Sequence, residues 1–345
     1  TISYENGLLI KAVGDLIEFQ AKDYDMGIRT EVPGIIEEQG EVFIANPFLI
    51  ELTRRLPGDE IEMIKQDGDT QLLLKGGKLK FECLTINPDD FSEVEIVDNG
   101  TSSFTTDSIT LKDLIDHTSY ACATDMARPI FTGTHIDVTG TTLNMVATDT
   151  HRLALKSAEL AQPVEQPFKA VIPSRLLMEI ARQLPTDMPQ DVQIVALRNF
   201  MTVRFGNIFI RTRLIEGEFP NYRRVIPTQF TSAVTLNRQE FTAAVERASI
   251  VAKDAQYNVI NFAIQDDQIS LTSQHPDYGT IEDSVPCQIE GESIRIAFNG
   301  KFVLDILKHC HSEEIVLRLK ASSPMLVQDK DEQNCVFVVT PMRAK

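Results

Sequence analysis

Ala170-Val-Ile-Pro-Ser-Arg-Leu-Leu-Met-Glu-Ile-Ala-Arg-Gln-Leu184 reads as a strand running directly into a helix, and the chain contains this unit three times. The other copies are Val42-Phe-Ile-Ala-Asn-Pro-Phe-Leu-Ile-Glu-Leu-Thr-Arg-Arg-Leu56 and Ile296-Ala-Phe-Asn-Gly-Lys-Phe-Val-Leu-Asp-Ile-Leu-Lys-His-Cys310. Glu51, Glu179 and Asp305 occupy the same place in the unit, 128 and then 126 residues apart. In the second copy Leu176, Leu177, Ile180, Ala181 and Leu184 form one apolar stripe at helical spacing. Phe302, Val303, Ile306, Leu307 and Cys310 repeat it in the third. The opposite faces carry Arg175, Glu179 and Arg182, then Lys301, Asp305 and Lys308, with Glu51, Arg54 and Arg55 in the first copy.

A period of this length marks a repeated module, and other elements keep it. Hairpins are expected over Leu8–Gln20 turning at Gly14-Asp15, Ile136–Val146 turning at Thr139-Gly140, and Asn261–Thr272 turning at Asp266-Asp267. Asp23, Asp149 and His275 follow them at equal 126-residue intervals. Further hairpins after the helices turn at Gly76-Gly77 and Gly206-Asn207. Two modules open with a helix: Thr110 caps one with Asp113 three residues on, and Asn237 with Glu240 caps the other. The first module shows no such helix, so a helix and part of a strand are expected to be missing from its start. The modules then span residues 1–100, 103–227 and 228–345, separated by the polar stretches Asp98–Ser103 and Pro227–Gln229. Each places helices against antiparallel sheet, an α+β arrangement.

The 345 residues, 43% hydrophobic and 24% charged, suit two or three globular domains. No apolar run approaches the roughly 20 residues of a membrane span, and the first residues lack the order of a signal peptide. Five scattered cysteines without a CxxC pair predict reduced thiols and a cytoplasmic protein. The net charge of -17 argues against ordinary phosphate neutralisation as the means of holding nucleic acid. An acidic chain could still present one basic track if its repeated helices line a common surface.

Little in the sequence points to chemistry. Asp149-Thr150-His151-Arg152 could supply metal ligands or acid–base groups, or could simply orient a loop after a strand. The equivalent positions, Asp23-Tyr24-Asp25 and His275-Pro276-Asp277, share no ligand set with it. His309-Cys310-His311 cannot converge on one ion from a single helical turn. No phosphate-binding glycine loop or nucleophile elbow occurs. No metal, cofactor or catalytic residue is therefore expected, and a metal-dependent hydrolase centred on Asp149 and His151 remains the rival reading, with a repeat scaffold as a third.

Several stretches resemble the beta subunit of bacterial DNA polymerase III, the sliding clamp family. Ala147-Thr-Asp-Thr-His-Arg-Leu-Ala154 is similar to its ATDxHRLA segment, and Glu216-Gly-Glu-Phe-Pro-Asn-Tyr-Arg-Arg-Val-Ile-Pro227 to its EGxFPxYxxVxP segment. Phe298–Leu307 and Val338-Val-Thr-Pro-Met-Arg343 also fit, so the resemblance covers the whole chain in order. It implies a non-enzymatic processivity factor of three clamp modules, with antiparallel sheets outside and two helices inside each. It implies a head-to-tail homodimer closed around double-stranded DNA, with Phe81 and Cys83 meeting Ile250 and Val251 of the partner. The channel would be faced by Arg54, Arg55, Arg128, Arg175, Arg182, Arg247, Lys301 and Lys308. DNA polymerase subunits, the clamp loader and other proteins carrying a clamp-binding motif would dock one groove. Carried onto matching positions, that groove is Phe131, Thr148, Thr150, His151, Arg152, Leu153, Pro220, Arg224, Val225, Val338, Val339, Thr340, Pro341, Met342 and Arg343.

Overall fold

A computed structural model of the chain describes residues 7–65, 68, 70–252 and 258–342. Among these, the apolar stripes become α-helices: α1 (Leu49–Thr53), α2 (Ser108–Thr118), α3 (Ser174–Gln183), α4 (Arg238–Ala252) and α5 (Gly300–Leu307). The predicted stripe of α3 is buried, and so are Val303, Ile306, Leu307 and Cys310 of the α5 copy, while Phe302 is half-buried. Asn237 caps α4 as expected, its Oδ1 accepting from Glu240 N at 3.1 Å. Helix α2 starts at Ser108, two residues before the expected cap Thr110. Helix α1 departs most from its repeat. It is five residues long and buries none of them, and Phe48 and Ile50 are 70% and 65% exposed. A helix that short depends on packing, and although Leu49 packs against the core of the first unit, the exposed Phe48 and Ile50 do not extend that support.

Hairpin turns follow backbone handedness. Asp266 and Asp267 both have positive φ, 52° and 55°, the pattern of a type I′ turn. Two turns fall one residue later than predicted, at Gly140-Thr141 and Gly77-Lys78. In each the glycine takes the first turn position with φ near +60°, which a side-chain-bearing residue adopts only at a cost.

The chain divides into two compact units, Thr1–Ser108 with Asp187–Arg213, and Ile109–Thr186 with Leu214–Lys345. The first unit holds an eight-stranded sheet in the order Gly40–Ile44, Leu8–Val13, Leu16–Lys22, Met26–Pro33, Ile208–Arg213, Phe200–Phe205, Asp191–Ala196, Ser102–Asp107. A three-stranded sheet of Glu62–Ile64, Gln71–Gly76 and Leu79–Leu84 accompanies it, and Ile10, Val42, Ile44, Leu72, Leu74 and Cys83 form a core between them. The second unit holds a nine-stranded sheet in the order Phe168–Pro173, Gly133–Thr139, Thr142–Thr148, Arg152–Glu159, Cys335–Val339, Met325–Asp329, Glu314–Leu319, Ser232–Asn237, Gln288–Gly291. Its four-stranded sheet runs Gly279–Pro286, Gln268–His275, Val259–Gln265, Ile294–Asn299, and Phe241, Phe262, Phe298 and Phe337 fill the large core.

Two joints in these sheets are built alike. Met26–Pro33, third strand of the first copy, pairs antiparallel with Ile208–Arg213, last strand of the second. Arg152–Glu159, the corresponding strand after the hairpin of the second copy, pairs in the same way with Cys335–Val339, last strand of the third.

All five cysteines are unpaired and buried. Burial pushes their thiols up, to about 11 for Cys122 and Cys287 and about 12 for Cys310. The native protein is expected to leave a thiol-reactive dye unreacted for many minutes at pH 8, and to take up five equivalents in denaturant. Fast labelling of any one cysteine in the native state would contradict this burial.

Candidate functional site

The site grows out of the hairpin Thr142–Thr148 and Arg152–Glu159. Register places Leu153 opposite Thr148 on one side and Val338 on the other, so three side chains share one face of the nine-stranded sheet. The next row on that face is Val171, His135, Val146, Leu155 and Val336, taken from five neighbouring strands. Phe219 and Tyr222, from the segment that follows Arg213, pack onto these rows with Val146, Leu153, Val171 and Val338. Phe131, from the 3₁₀ turn Pro129–Thr132, packs against the same cluster. The result is a pocket of about 230 Å³ lined by Phe131, Thr148, Thr150, Arg152, Leu153, Phe219, Pro220, Tyr222, Val225, Val338 and Thr340. Its surface is apolar with a few polar edges, the form that takes short apolar ligands.

The loop beside it is held in an unusual conformation. Thr150 has φ of 78°, a left-handed value that β-branched residues rarely adopt. Its N–H donates to Thr148 Oγ1 at 3.0 Å, and Thr148 Oγ1 in turn donates to Arg152 O at 2.6 Å. Asp149 Oδ1 accepts from the N–H groups of His151 and Arg152 at 2.9 and 3.0 Å. Arg152, 9% exposed, donates to Asp149 Oδ2 at 3.0 Å, Asp305 Oδ2 at 2.6 Å and the Tyr120 carbonyl at 3.1 Å. Its guanidinium also lies 4.9 Å from the Phe302 ring and 5.5 Å from Tyr120.

The Asp-x-His motif is therefore structural in its contacts. The Asp149 carboxylate closes a turn and pairs with Arg152, while the His151 ring stacks on Phe302 at 6.0 Å. His309 stacks on Tyr120 at 3.9 Å, and the His117 ring stands 5.0 Å from that of His311. Beside them Lys156 pairs with Asp113 at 2.7 Å and Glu332 at 3.0 Å. Burial opposes ionisation of Asp113, yet His117 and Lys156 pull its carboxyl down to about 2. Among the described residues, no group of three or more His, Cys, Asp or Glu is placed to hold a metal ion. Nor, among them, is any helix long and apolar enough to cross a membrane.

The structure gathers Phe131, Thr148, Thr150, Arg152, Leu153, Pro220, Val225, Val338 and Thr340 of the expected groove around one pocket. Val339 is not among its lining residues. Strand alternation turns it to the opposite face, where it is fully buried in the large core. His151 and Arg224 are exposed and outside the lining, though the His151 carbonyl accepts from Thr340 N and Oγ1 at 2.9 and 3.0 Å. Pro341 and Met342 are half-buried, and Met342 N donates to Ala297 O at 2.7 Å, alongside the four-stranded sheet. Arg343 lies outside the described residues. Phe219 and Tyr222 were not expected as lining residues. Their signal was the pair of aromatics bracketing Pro220 in a stretch too turn-rich to be a strand.

The expected basic residues Arg54, Arg55, Arg128, Arg175, Arg182, Arg247, Lys301 and Lys308 are all exposed. Arg55 pairs with Glu51, Arg182 with Glu179, Arg247 with Asp283 and Lys308 with Asp305. Arg128 leans over Phe131 at 5.0 Å and donates to Thr150 Oγ1 at 3.2 Å, beside the pocket. Of the expected interface residues, Ile250 is 73% exposed and Val251 half-buried. Phe81 is half-buried, and Cys83, at 1% exposure, belongs to the core of its own unit.

Three family models match the chain in order: the N-terminal domain of the DNA polymerase III beta subunit over residues 1–95, its central domain over 105–221 and its C-terminal domain over 223–343. The chain belongs to the DNA polymerase III beta subunit family, the bacterial sliding clamps. Its α+β fold of three clamp domains is that of the family, and its place is in DNA replication, as a processivity factor of the polymerase. The beta sliding clamp of Bacillus subtilis (strain 168) is 29% identical over 355 residues, covering 99% of this chain and 93% of the relative. The crystal structure of the DNA polymerase sliding clamp from Bacillus subtilis superposes with a TM-score of 0.93 at 28% identity, covering 100% of this chain and 93% of that one. The DNA polymerase III beta subunit of Thermotoga maritima gives a TM-score of 0.92 at 25% identity, covering 99% and 92%.

Proposed function

We propose that two copies of this chain close head to tail into a ring around double-stranded DNA in the cytoplasm. The ring tethers DNA polymerase subunits, and receives the clamp loader and other partners, through an apolar peptide seated in the pocket between Leu153 and Val338. It performs no chemistry itself. The modules of the ring are residues 1–100, 103–227 and 228–345, and the exposed basic residues of their helices face the duplex.

One observation supports the closure above others. Within the chain, the strand after the hairpin of one copy pairs with the last strand of the next, and it does so twice. Two strands of those same kinds are left over. Gly279–Pro286, the strand after the hairpin of the third copy, is an edge of the four-stranded sheet, and Leu79–Leu84, last strand of the first copy, is an edge of the three-stranded sheet. Among the described residues nothing pairs with their outer sides. An unpaired strand edge is a template for another chain, and a heterologous contact that closes makes a ring. Pairing Leu79–Leu84 of one copy with Gly279–Pro286 of the other would build the same joint a third time. Ile250 on α4 would then be covered, whereas Cys83 would support the joint from inside its own core.

The charge distribution suits this reading. A closed ring holds DNA by topology and needs few strong phosphate contacts, so a net charge of -17 is compatible with it. Arg55, Arg182, Arg247 and Lys308, each beside a carboxylate, would attract the duplex weakly and let it slide. Loading the protein onto circular and linearised DNA tests the proposal. Retention on the circle with run-off from open ends is the expected result, together with a solution mass of twice 38.7 kDa at micromolar concentration. Equal retention on both DNAs, or a monomer at that concentration, would refute it.

A further inference from the structure

Beneath the pocket lies a polar pair that the proposed function does not use. His135 and Asp137 alternate along the strand Gly133–Thr139, so both point to the face that carries the pocket. Both are nearly inaccessible, at 7% and 4% exposure. The His135 ring lies flat against Phe219, with centroids 4.7 Å apart and planes 2° apart. Asp137 Oδ2 accepts from the Tyr222 hydroxyl at 3.3 Å and stands 3.7 Å from Arg223 Nη2. Phe219 and Tyr222 are two of the aromatic walls of the pocket, and Pro220 lies between them.

That wall is a loop rather than a sheet strand. Its backbone is tied to the sheet where Ile215 N donates to Val171 O at 2.8 Å. Further on, Val225 N donates only within its own turn, to Tyr222 O at 3.0 Å. Side chains must therefore fix its distance from the sheet floor. An aliphatic floor would let the aromatics slide, because apolar contact is not directional. A flat ring under Phe219 and a carboxylate under Tyr222 select one rotamer of each. Burial also pushes the His135 imidazole below its ordinary value, which keeps the ring neutral against Phe219.

We propose that His135 and Asp137 are positioning residues of the pocket: they fix the Phe219–Val225 wall at the spacing that an apolar peptide needs. The proposal rests on the reading of this pocket as a peptide site. It concerns residues that would touch no ligand themselves, and it makes affinity depend on two buried polar groups behind the aromatics.

The experiment uses the whole 345-residue chain and a fluorescein-labelled hexapeptide with Leu and Phe side by side, followed by anisotropy. Asp137→Ala and Tyr222→Phe are each expected to weaken binding about tenfold, and the double variant no more than either alone, since both remove one interaction. Asp137→Asn keeps an acceptor for the hydroxyl and is expected to bind within about threefold of the parent. His135→Ala is expected to lose about tenfold, and His135→Phe, which keeps a flat ring, to restore most of it. Hydrogen exchange should rise in residues 214–226 of the alanine variants while residues 133–139 stay protected. If Asp137→Ala fails to fold, Tyr222→Phe carries the test, because it removes one hydroxyl and leaves Asp137 with Arg223. Unchanged affinity in Tyr222→Phe and His135→Ala would overturn the proposal, as would additive losses in the double variant. Failure of the parent protein to bind the peptide would instead overturn the reading of the pocket.

Discussion

Val225→Asp is expected to weaken binding of a polymerase-derived peptide at least about 100-fold while leaving the fold intact. Val225 lines the pocket yet is 46% exposed, so its replacement opens no cavity in the core. In the unoccupied protein the new carboxylate stays in water. A bound apolar side chain would strip that water away, and burying an unpaired charge against an apolar surface costs several kcal/mol. About 3 kcal/mol suffices for the loss stated. Anisotropy with the labelled peptide measures it, and the melting temperature should move by no more than about 2 °C, as for other exposed substitutions. Undiminished affinity would remove the pocket from the proposed docking mechanism. Val225→Ala offers the graded control, losing contact area without adding charge, and should cost about tenfold or less.

Arg152→Met carries the largest expected loss of stability, about 3–5 kcal/mol in denaturant unfolding. Arg152 is 9% exposed and joins Asp149 to Asp305, two carboxylates on different elements of the second unit. Methionine fills much of the same volume but takes the guanidinium from both carboxylates, leaving Asp149 with backbone donors and Asp305 with the exposed Lys308, and the side chains of Asp149 and Asp305 are only 12% and 21% exposed. It also leaves the Tyr120 carbonyl without its guanidinium donor. Adding Asp305→Asn to Arg152→Met should recover part of the loss, since one poorly compensated, largely buried charge is gone. A loss under about 1 kcal/mol would mean that solvent screens this cluster as it screens surface pairs. Because Thr150 and Arg152 both line the pocket, the same variant should weaken peptide binding as well.

Much of the architecture is visible in the sequence because repetition tests each element three times. The stripe in Ala170–Leu184 could belong to many folds, but the same stripe at a fixed period with hairpins at the same offsets could not. Where one copy departs from the others, the sequence misleads. Helix α1 was expected from its neighbours and is a single short turn, since Phe48 and Ile50 face solvent. Turn positions were one residue early wherever a glycine had two places to sit, and left-handed backbone decided between them. The pocket was legible through its family segments and less so through its chemistry. Val338 and Val339 look interchangeable in a list, yet a strand sends neighbours to opposite faces, one to the pocket and one to the core. Cys83 is a similar case, a residue expected to meet the partner but placed by alternation in the core of its own unit.

Composition, period and short segments by themselves determined that the chain is an α+β triplicate, that its thiols are unpaired, and that it resembles the clamps. These properties depend on residue type and on spacing along the chain, which folding does not alter. Tertiary structure alone decided which residues meet across long separations: Leu153 beside Val338, Arg152 on Asp305, Phe219 on His135. Pairing register and strand faces set those meetings, and a one-residue slip would exchange every one of them. It alone also decided which strand edges remain open, because an edge is defined by the partner it lacks and no stretch of sequence states that.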